Sequence, residues 1–343
     1  MPPAAVKVCV IHVGGTIGMT LTESGHFAPQ PGFLGEYLRG LTELRSPELP
    51  EFEFVELPPL LDSADLGPQD WLRIAEAIIE RYDEYAGFVV VHGTDTMAYS
   101  ASALSFLLDG LSKPVVLTGA QLSVVHPRSD GREHLLTSLI VAGSLDIPEV
   151  SICFGRRVLR GNRAQKVHNQ DFVAFDSGNL EPLASVGARI VQNRRTIRPP
   201  GSGRLRPINL PRDPKVVSLR LFPGLGAELL EHLLEPTPDG LVLETYGVGN
   251  APVRDGAFLA VLERAIFERQ LVVVNCSQCH GGFVQPETYA TGAALARVGV
   301  RSGADMTPEA ALTKLYCLLA KYDDIEHVSR LVGEDLAGEL TIS

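Results

Sequence analysis

Apolar and polar positions alternate along this chain in blocks of two kinds. Short runs rich in Val and Ile at 6–13, 52–57, 88–92, 115–118 and 150–154 predict strands. Between the second and third, Trp71, Ile74, Ala75, Ile78, Ile79 and Tyr82 recur at helical spacing, and Pro68 suits a first helical turn, so a helix is expected over 68–85. Segments 97–108 and 132–142 read the same way. Strands alternating with helices predict a mostly parallel sheet covered on both faces.

The composition then shifts. Residues 192–214 hold Arg194, Arg195, Arg198, Arg204, Arg206 and Arg212, five prolines and Gly201-Ser202-Gly203. No aromatic residue interleaves the arginines, so this stretch reads as an exposed linker rather than a nucleic-acid arm. The α/β pattern resumes with strands expected at 216–221, 240–244 and 271–275 and helices at 226–234, 258–269, 288–298 and 308–319. The expectation is two α/β domains. Residues 1–191 form the larger, with a mostly parallel sheet and helices on both faces. Residues 192–214 link it to a smaller parallel-sheet domain, 215–343.

Bulk composition narrows the partners. The 343 residues are 45% hydrophobic and 21% charged, which suits a globular chain with a sizeable core. A net charge of −11 speaks against nucleic acid or an anionic membrane as the main partner. No apolar run approaches the roughly 18 residues of a membrane span, and no secretory signal is legible. Five scattered cysteines read as reduced thiols, so a cytoplasmic location is expected.

The first strand ends in Gly14-Gly15-Thr16. A dinucleotide fingerprint fails there, because its first glycine would fall on Val13 and no acidic residue closes a second strand. A Walker loop fails for want of Gly-Lys-Ser/Thr. A plain strand-to-loop turn, with the glycines permitting positive φ, remains open. However, "LLDSAD" (60–65), "VHGTDTMAYS" (91–100) and "TGAQ" (118–121) follow the next three strands. The carboxyl ends of parallel strands share one edge, where ligands bind. Four strands would thus bring Thr16, Asp62, Ser63, Thr94, Asp95 and Ala120 to one rim suited to a small polar ligand. Each has a local alternative: Asp62 and Ser63 as turn formers, Asp95 as a helix cap, His92 as a packed strand-end histidine.

"GGTIGM", "DSAD", "HGTDTMAYSASALSFLL", "RGNRAQK", "YGVGNAP" and "YATGAALARVGVRSGADMTPEAALTKL" together resemble the bacterial cytoplasmic type I L-asparaginases, over nearly the whole chain. The resemblance implies hydrolysis of L-asparagine to L-aspartate and ammonia, with no metal or organic cofactor. Thr16 matches the family's nucleophile, and Thr94, Asp95 and Lys166 its second catalytic cluster. Asp62 and Asp95 would bind the substrate α-ammonium, Ser63 its α-carboxylate, and the backbone N–H groups of Thr94 and Ala120 the developing oxyanion. Asn250 matches a residue that reaches into the site of a second subunit, so a homodimer or dimer of dimers is implied. Its bland alternative is a turn asparagine beside Pro252. A broader glutaminase-asparaginase, the amide-hydrolysing subunit of a transfer-RNA amidotransferase, and a catalytically silent amino-acid-binding regulator are the competing functions. The amidotransferase subunit would be expected to carry an extra N-terminal module.

The sequence also departs from the family. Many relatives carry a lid tyrosine after the first loop; "ESGHFAP" places His26 there, read as a lid residue without proton transfer. "CSQCH" (276–280) fits the c-type haem pattern, but it follows a buried-type strand and lacks a second ligand pair for zinc, so reduced thiols are expected. Some relatives place a regulatory asparagine site near Cys279, so Gln121, Gln165, Glu244 and Cys279 mark a possible effector region. They use arginine where Glu244 stands here. A carboxylate cannot bind an effector's α-carboxylate as arginine does, which speaks against homotropic activation.

Overall fold

A computed structural model describes residues 6–22, 25–254, 256–285 and 290–342. The chain divides into two compact units, Met1–Ile208 and Asn209–Ser343.

The first unit is built on an eight-stranded sheet. In chain order its elements are β1 (Lys7–Gly14), the hairpin strands β2 (Met19–Leu21) and β3 (Phe27–Pro29), α1 (Phe33–Gly40), β4 (Glu51–Leu61), α2 (Pro68–Glu80), β5 (Gly87–Val91), α3 (Met97–Leu107), β6 (Val115–Thr118), α4 (Gly131–Ser144), β7 (Val150–Phe154), β8 (Arg157–Arg160), the short pair β9 (Gln165–Lys166) and β10 (Phe175–Asp176), β11 (Ala184–Val186) and β12 (Ile190–Gln192). The sheet order is β12-β11-β8-β7-β6-β5-β1-β4. The five strands β4, β1, β5, β6 and β7 run parallel; β8 returns antiparallel to β7, and β11 and β12 continue antiparallel beyond it. β5, β6 and β7 are buried along their whole length, as a sheet covered on both faces requires.

Two elements differ from the sequence expectation for identifiable reasons. The helix expected over 68–85 ends at Glu80, and residues Tyr82–Glu84 form a separate tight turn. Lys113 Nζ donates to the carbonyls of Tyr82 and Tyr85, and the Tyr82 ring stacks on Phe88 in the core. Those carbonyls thus face a side chain rather than a helix axis. The second strand runs to Leu61 rather than 57, through Pro58 and Pro59, because β4 is the sheet's edge and its register with β1 shifts between Glu56 and Leu61, where the ladder asks for no proline N–H.

The second unit holds a four-stranded parallel sheet. Its elements are β13 (Val216–Arg220), α5 (Ala227–Leu233), β14 (Gly240–Thr245), α6 (Ala257–Phe267), β15 (Val272–Ser277), α7 (Ala290–Arg297), β16 (Arg301–Ser302), α8 (Pro308–Lys321) and α9 (Ile325–Leu331), with strand order β13-β14-β15-β16. The start of the helix expected over 288–298 lies outside the described residues. Beneath this sheet, Lys314 of α8 and Glu339 form a fully buried ion pair at 2.6 Å. Lys314 Nζ also donates to the Val332 carbonyl at 2.9 Å, and Glu339 accepts from the backbone of Leu336 and Ala337. Each charge has its remaining bonds filled, the condition under which such a pair is tolerated. Lys314→Met is expected to leave the Glu339 carboxylate buried alone and to lower unfolding free energy by about 3–5 kcal/mol. Urea denaturation of the wild type and the variant would measure it.

Candidate active site

The parallel register brings the carboxyl ends of β4, β1, β5 and β6 side by side, and their loops interlock through the backbone. β1 and β4 stay in register to His12–Glu56, then shift so that Gly14 faces Leu61. The Gly15 N–H donates to the Leu61 carbonyl at 3.0 Å. Gly15 has φ +89°, and a Cβ there would meet the Gly93 nitrogen and Cα at 2.4 Å. Only glycine fits both the dihedral and the space. The plain-turn reading of the two glycines and the functional one therefore share one geometry.

Thr16 opens a tight turn, Thr16–Gly18, and is half-buried. Its hydroxyl has no hydrogen-bond partner among the described residues. Asp62 is exposed, and its Oδ1 accepts from the Ala64 N–H at 3.0 Å, so it is the turn former the sequence allowed. Ser63 is 2% exposed and lies beneath Gly93, while its carbonyl accepts from the Thr96 hydroxyl at 2.7 Å. Ala120 follows the end of β6 and is buried.

Lys166 reaches this rim by a longer route. The β7–β8 hairpin turns the chain back, a buried turn Gly161–Arg163 follows, and β9 pairs with β10 at Lys166↔Phe175. Lys166 Nζ then lies 2.8 Å from Thr94 Oγ1 and 2.5 Å from Asp95 Oδ1. The lysine side chain is 17% exposed and the aspartate 64%. Asp95 does not cap α3; its carboxylate is turned to the lysine. Two adjacent residues and a lysine 71 positions beyond the second thus form one hydroxyl–amine–carboxylate chain.

His92 is the packed histidine that its position suggested. Its ring is fully buried, with Nδ1 2.7 Å from the Gly93 carbonyl and Nε2 2.8 Å from Ser100 Oγ. Burial disfavours the charged ring and lowers its pKa to about 4.

His26 is exposed in the β2–β3 turn, where its carbonyl accepts from the Thr22 N–H and hydroxyl, each at 2.8 Å. Of the lid motif around it, Glu23 and Ser24 lie outside the described residues. Gln121 Nε2 donates to the Asp171 carbonyl at 3.0 Å, and Gln165 sits beside Lys166 on β9. In the second unit, Glu244 Oε1 accepts from the Ser218 hydroxyl at 2.9 Å, and its Oε2 lies 3.8 Å from Arg220. Asn250 closes a turn on Tyr246, and its side-chain oxygen accepts from the Thr291 hydroxyl. Cys276 is buried in β15, where desolvation raises its thiol pKa, and Cys279 is exposed.

Comparison with known proteins decides the family. A model described as asparaginase, N-terminal, matches residues 7–198, and one described as glutaminase/asparaginase C-terminal domain matches residues 215–332. The chain belongs to the asparaginase family. It is 45% identical to L-asparaginase 1 of Escherichia coli K12 over 336 residues, 98% of each chain. The crystal structure of L-asparaginase I from Vibrio cholerae superposes with a TM-score of 0.89 at 40% identity, over 99% of this chain and 100% of that one. The thermostable L-asparaginase of Thermococcus kodakarensis gives 0.87 at 35% identity, over 98% and 100%. These matches extend over both units, as the sequence resemblance does.

Sequence reasoning passed over Asp130 and His134, which also approach this rim. The signal available was Ser129-Asp130-Gly131 immediately ahead of a helical pattern, a cap-like segment placed just after the fourth rim loop.

His92 makes stability fall in acid. Between its unfolded value of 6.5 and its folded value of about 4, the unfolded chain takes up a proton that the native ring refuses. Stability from this group is complete above about pH 6.5 and is lost as pH falls toward 4, by about 3 kcal/mol in all. Unfolding free energies measured from pH 7 to pH 4 should show that slope in the wild type and a shallower one in His92→Gln.

Proposed function

We propose that this chain hydrolyses L-asparagine to L-aspartate and ammonia through an ester on Thr16. The single observation that carries the mechanism is the Lys166–Thr94–Asp95 chain at the carboxyl edge of the sheet, with bonds of 2.8 and 2.5 Å. Full-length similarity to L-asparaginases supports the substrate.

In this reading the Thr16 hydroxyl oxygen attacks the side-chain amide carbon, and the carbonyl electrons move onto its oxygen. The N–H groups of Thr94 and Ala120 stabilise that oxyanion. Collapse breaks the C–N bond, and the nitrogen leaves as ammonia with the proton given up by the threonine. Water then attacks the ester carbon, giving its proton to Thr94 Oγ1 as Thr94 passes its own to Lys166 in the amine form; the bond to the Thr16 oxygen breaks, the proton returns to that oxygen, and L-aspartate leaves. Asp62 and Asp95, both exposed, take the α-ammonium, and Ser63 the α-carboxylate. His26 acts as a lid residue. Asn250 completes the site of a second subunit in a homodimer or dimer of dimers.

Residues 1–191 and 215–343 are the corresponding domains, joined by 192–214. Among the described residues no helix is long and apolar enough to cross a membrane, and the working location is the cytoplasm. Glu244, held by Ser218 and facing Arg220, puts a carboxylate where some relatives use an arginine for the effector's carboxylate, so saturation by asparagine is hyperbolic.

Ammonia release from asparagine and, separately, glutamine tests this. Thr16→Ala is expected to lower kcat by at least about 10⁴-fold while remaining folded, and Lys166→Met by about 10²–10⁴-fold. Asparagine should be preferred to glutamine by roughly 10–200-fold, the discrimination that one methylene permits. A folded wild type that releases ammonia from neither amide contradicts the proposal and favours an amino-acid-binding regulator.

A further inference from the structure

The turn after β6 is gripped on both sides of a single backbone N–H. On one side, His134 of α4 places Nδ1 2.9 Å from the Gly119 carbonyl oxygen, and the Gly155 N–H donates to His134 Nε2 at 3.1 Å. Because Nε2 accepts, the ring proton sits on Nδ1 and is donated to Gly119. On the other side, the Asp130 carboxylate accepts from the Gln121 N–H at 3.1 and 3.0 Å and from the Leu122 N–H at 3.2 Å. Both side chains are nearly buried, at 6% and 7% exposure.

One backbone N–H lies between these two anchors. The Ala120 N–H has no acceptor among the described residues, although Ala120 is 1% exposed. A buried N–H left without a partner is rare and costly, and points to an acceptor supplied from outside the chain. Its direction is fixed by His134. The Gly119–Ala120 peptide is trans, so its N–H points opposite to its C=O. With the carbonyl drawn toward α4, the N–H is aimed away from it.

The same segment also holds the turn of Thr16. Gly131 packs so closely that a Cβ there would meet Ile17 Cγ1 at 2.9 Å and Ala120 Cβ at 3.1 Å. The Val124 N–H donates to the Ile17 carbonyl at 3.2 Å, and the Ser123 hydroxyl to the Met19 carbonyl at 2.5 Å. Nucleophile and oxyanion donor are therefore referenced to one rigid support.

We propose that Asp130 and His134 are positioning residues which preset the Ala120 N–H as an oxyanion donor and keep it in register with Thr16. This rests on the acyl-transfer reading of the site. Neither residue touches substrate; they remove the need to reorient a peptide group as charge develops on the carbonyl oxygen.

The test uses the full chain, with kcat and KM for asparagine, calorimetric binding of L-aspartate, and thermal unfolding. His134→Leu should lower kcat by about 10–100-fold while KM and aspartate affinity stay within about threefold, because only the transition state carries the extra charge. His134→Asn, which retains an amide donor near the Nδ1 position, should recover most of that loss. If His134→Leu does not fold, Asp130→Asn carries the test with an expected kcat loss of about tenfold at unchanged KM. Ala120→Pro removes the N–H itself and separates the two levels. A large kcat loss in Ala120→Pro, with a folded His134→Leu (or, failing that, Asp130→Asn) within about threefold of wild type, overturns the positioning proposal alone. Full activity in Ala120→Pro overturns the oxyanion reading and this proposal with it. An asparagine variant no better than the leucine one also overturns it.

Discussion

The site depends on one close approach of backbone to backbone. Gly15 sits between the Leu61 carbonyl, to which it donates, and the Gly93 backbone, which leaves no room for a side chain. That contact is possible only because β4, β1 and β5 are parallel neighbours whose ends fall on one edge. It locks three loops into a single unit, and the polar groups of those loops proposed to meet substrate are set by it. Thr16 follows the locked glycine, Asp62 and Ser63 follow the locked carbonyl, and Thr94 and Asp95 follow Gly93. Rigid scaffolds presenting such loops are how small polar ligands gain orientation without a deep apolar pocket.

Around that lock, charge is arranged by burial. His92 lies fully inside, beneath the loop, and burial keeps it neutral, so its ring shapes the Gly93 carbonyl rather than exchanging protons. Lys166, by contrast, keeps 17% of its side chain exposed and a carboxylate at 2.5 Å. Its amine meets both a threonine hydroxyl and a solvent-exposed carboxylate, which places a proton-accepting group in hydrogen-bond reach of Thr94. The division of roles between a buried, uncharged histidine and a rim lysine follows from where each side chain lies relative to the sheet edge.

Much of the fold was legible because its signals are local. Strands 115–118 and 150–154 were bounded by their apolar runs alone, and the four rim loops followed from the parallel-sheet rule. What escaped was set by distant partners. Lys113, 28 residues beyond Tyr85, binds the Tyr82 and Tyr85 carbonyls in the stretch where the helix was expected to continue. Lys166 looks like a surface lysine in its own segment; only the β7–β8 hairpin and the buried turn after it return the side chain to Thr94, 72 residues earlier. The grip of Asp130 and His134 on the 119–122 turn had only a cap-like triplet as its trace, because peptide orientation is not written in side-chain periodicity.

The central claim is that the first rim threonine, and not the second, bonds covalently to substrate. Acid quench of the wild type during turnover of asparagine, followed by peptide mapping, addresses it directly. An aspartyl ester on the peptide carrying Thr16 is the predicted result, with none on the peptide carrying Thr94. An ester on Thr94, or product formation with no ester on either peptide under conditions that trap such intermediates, would contradict the account.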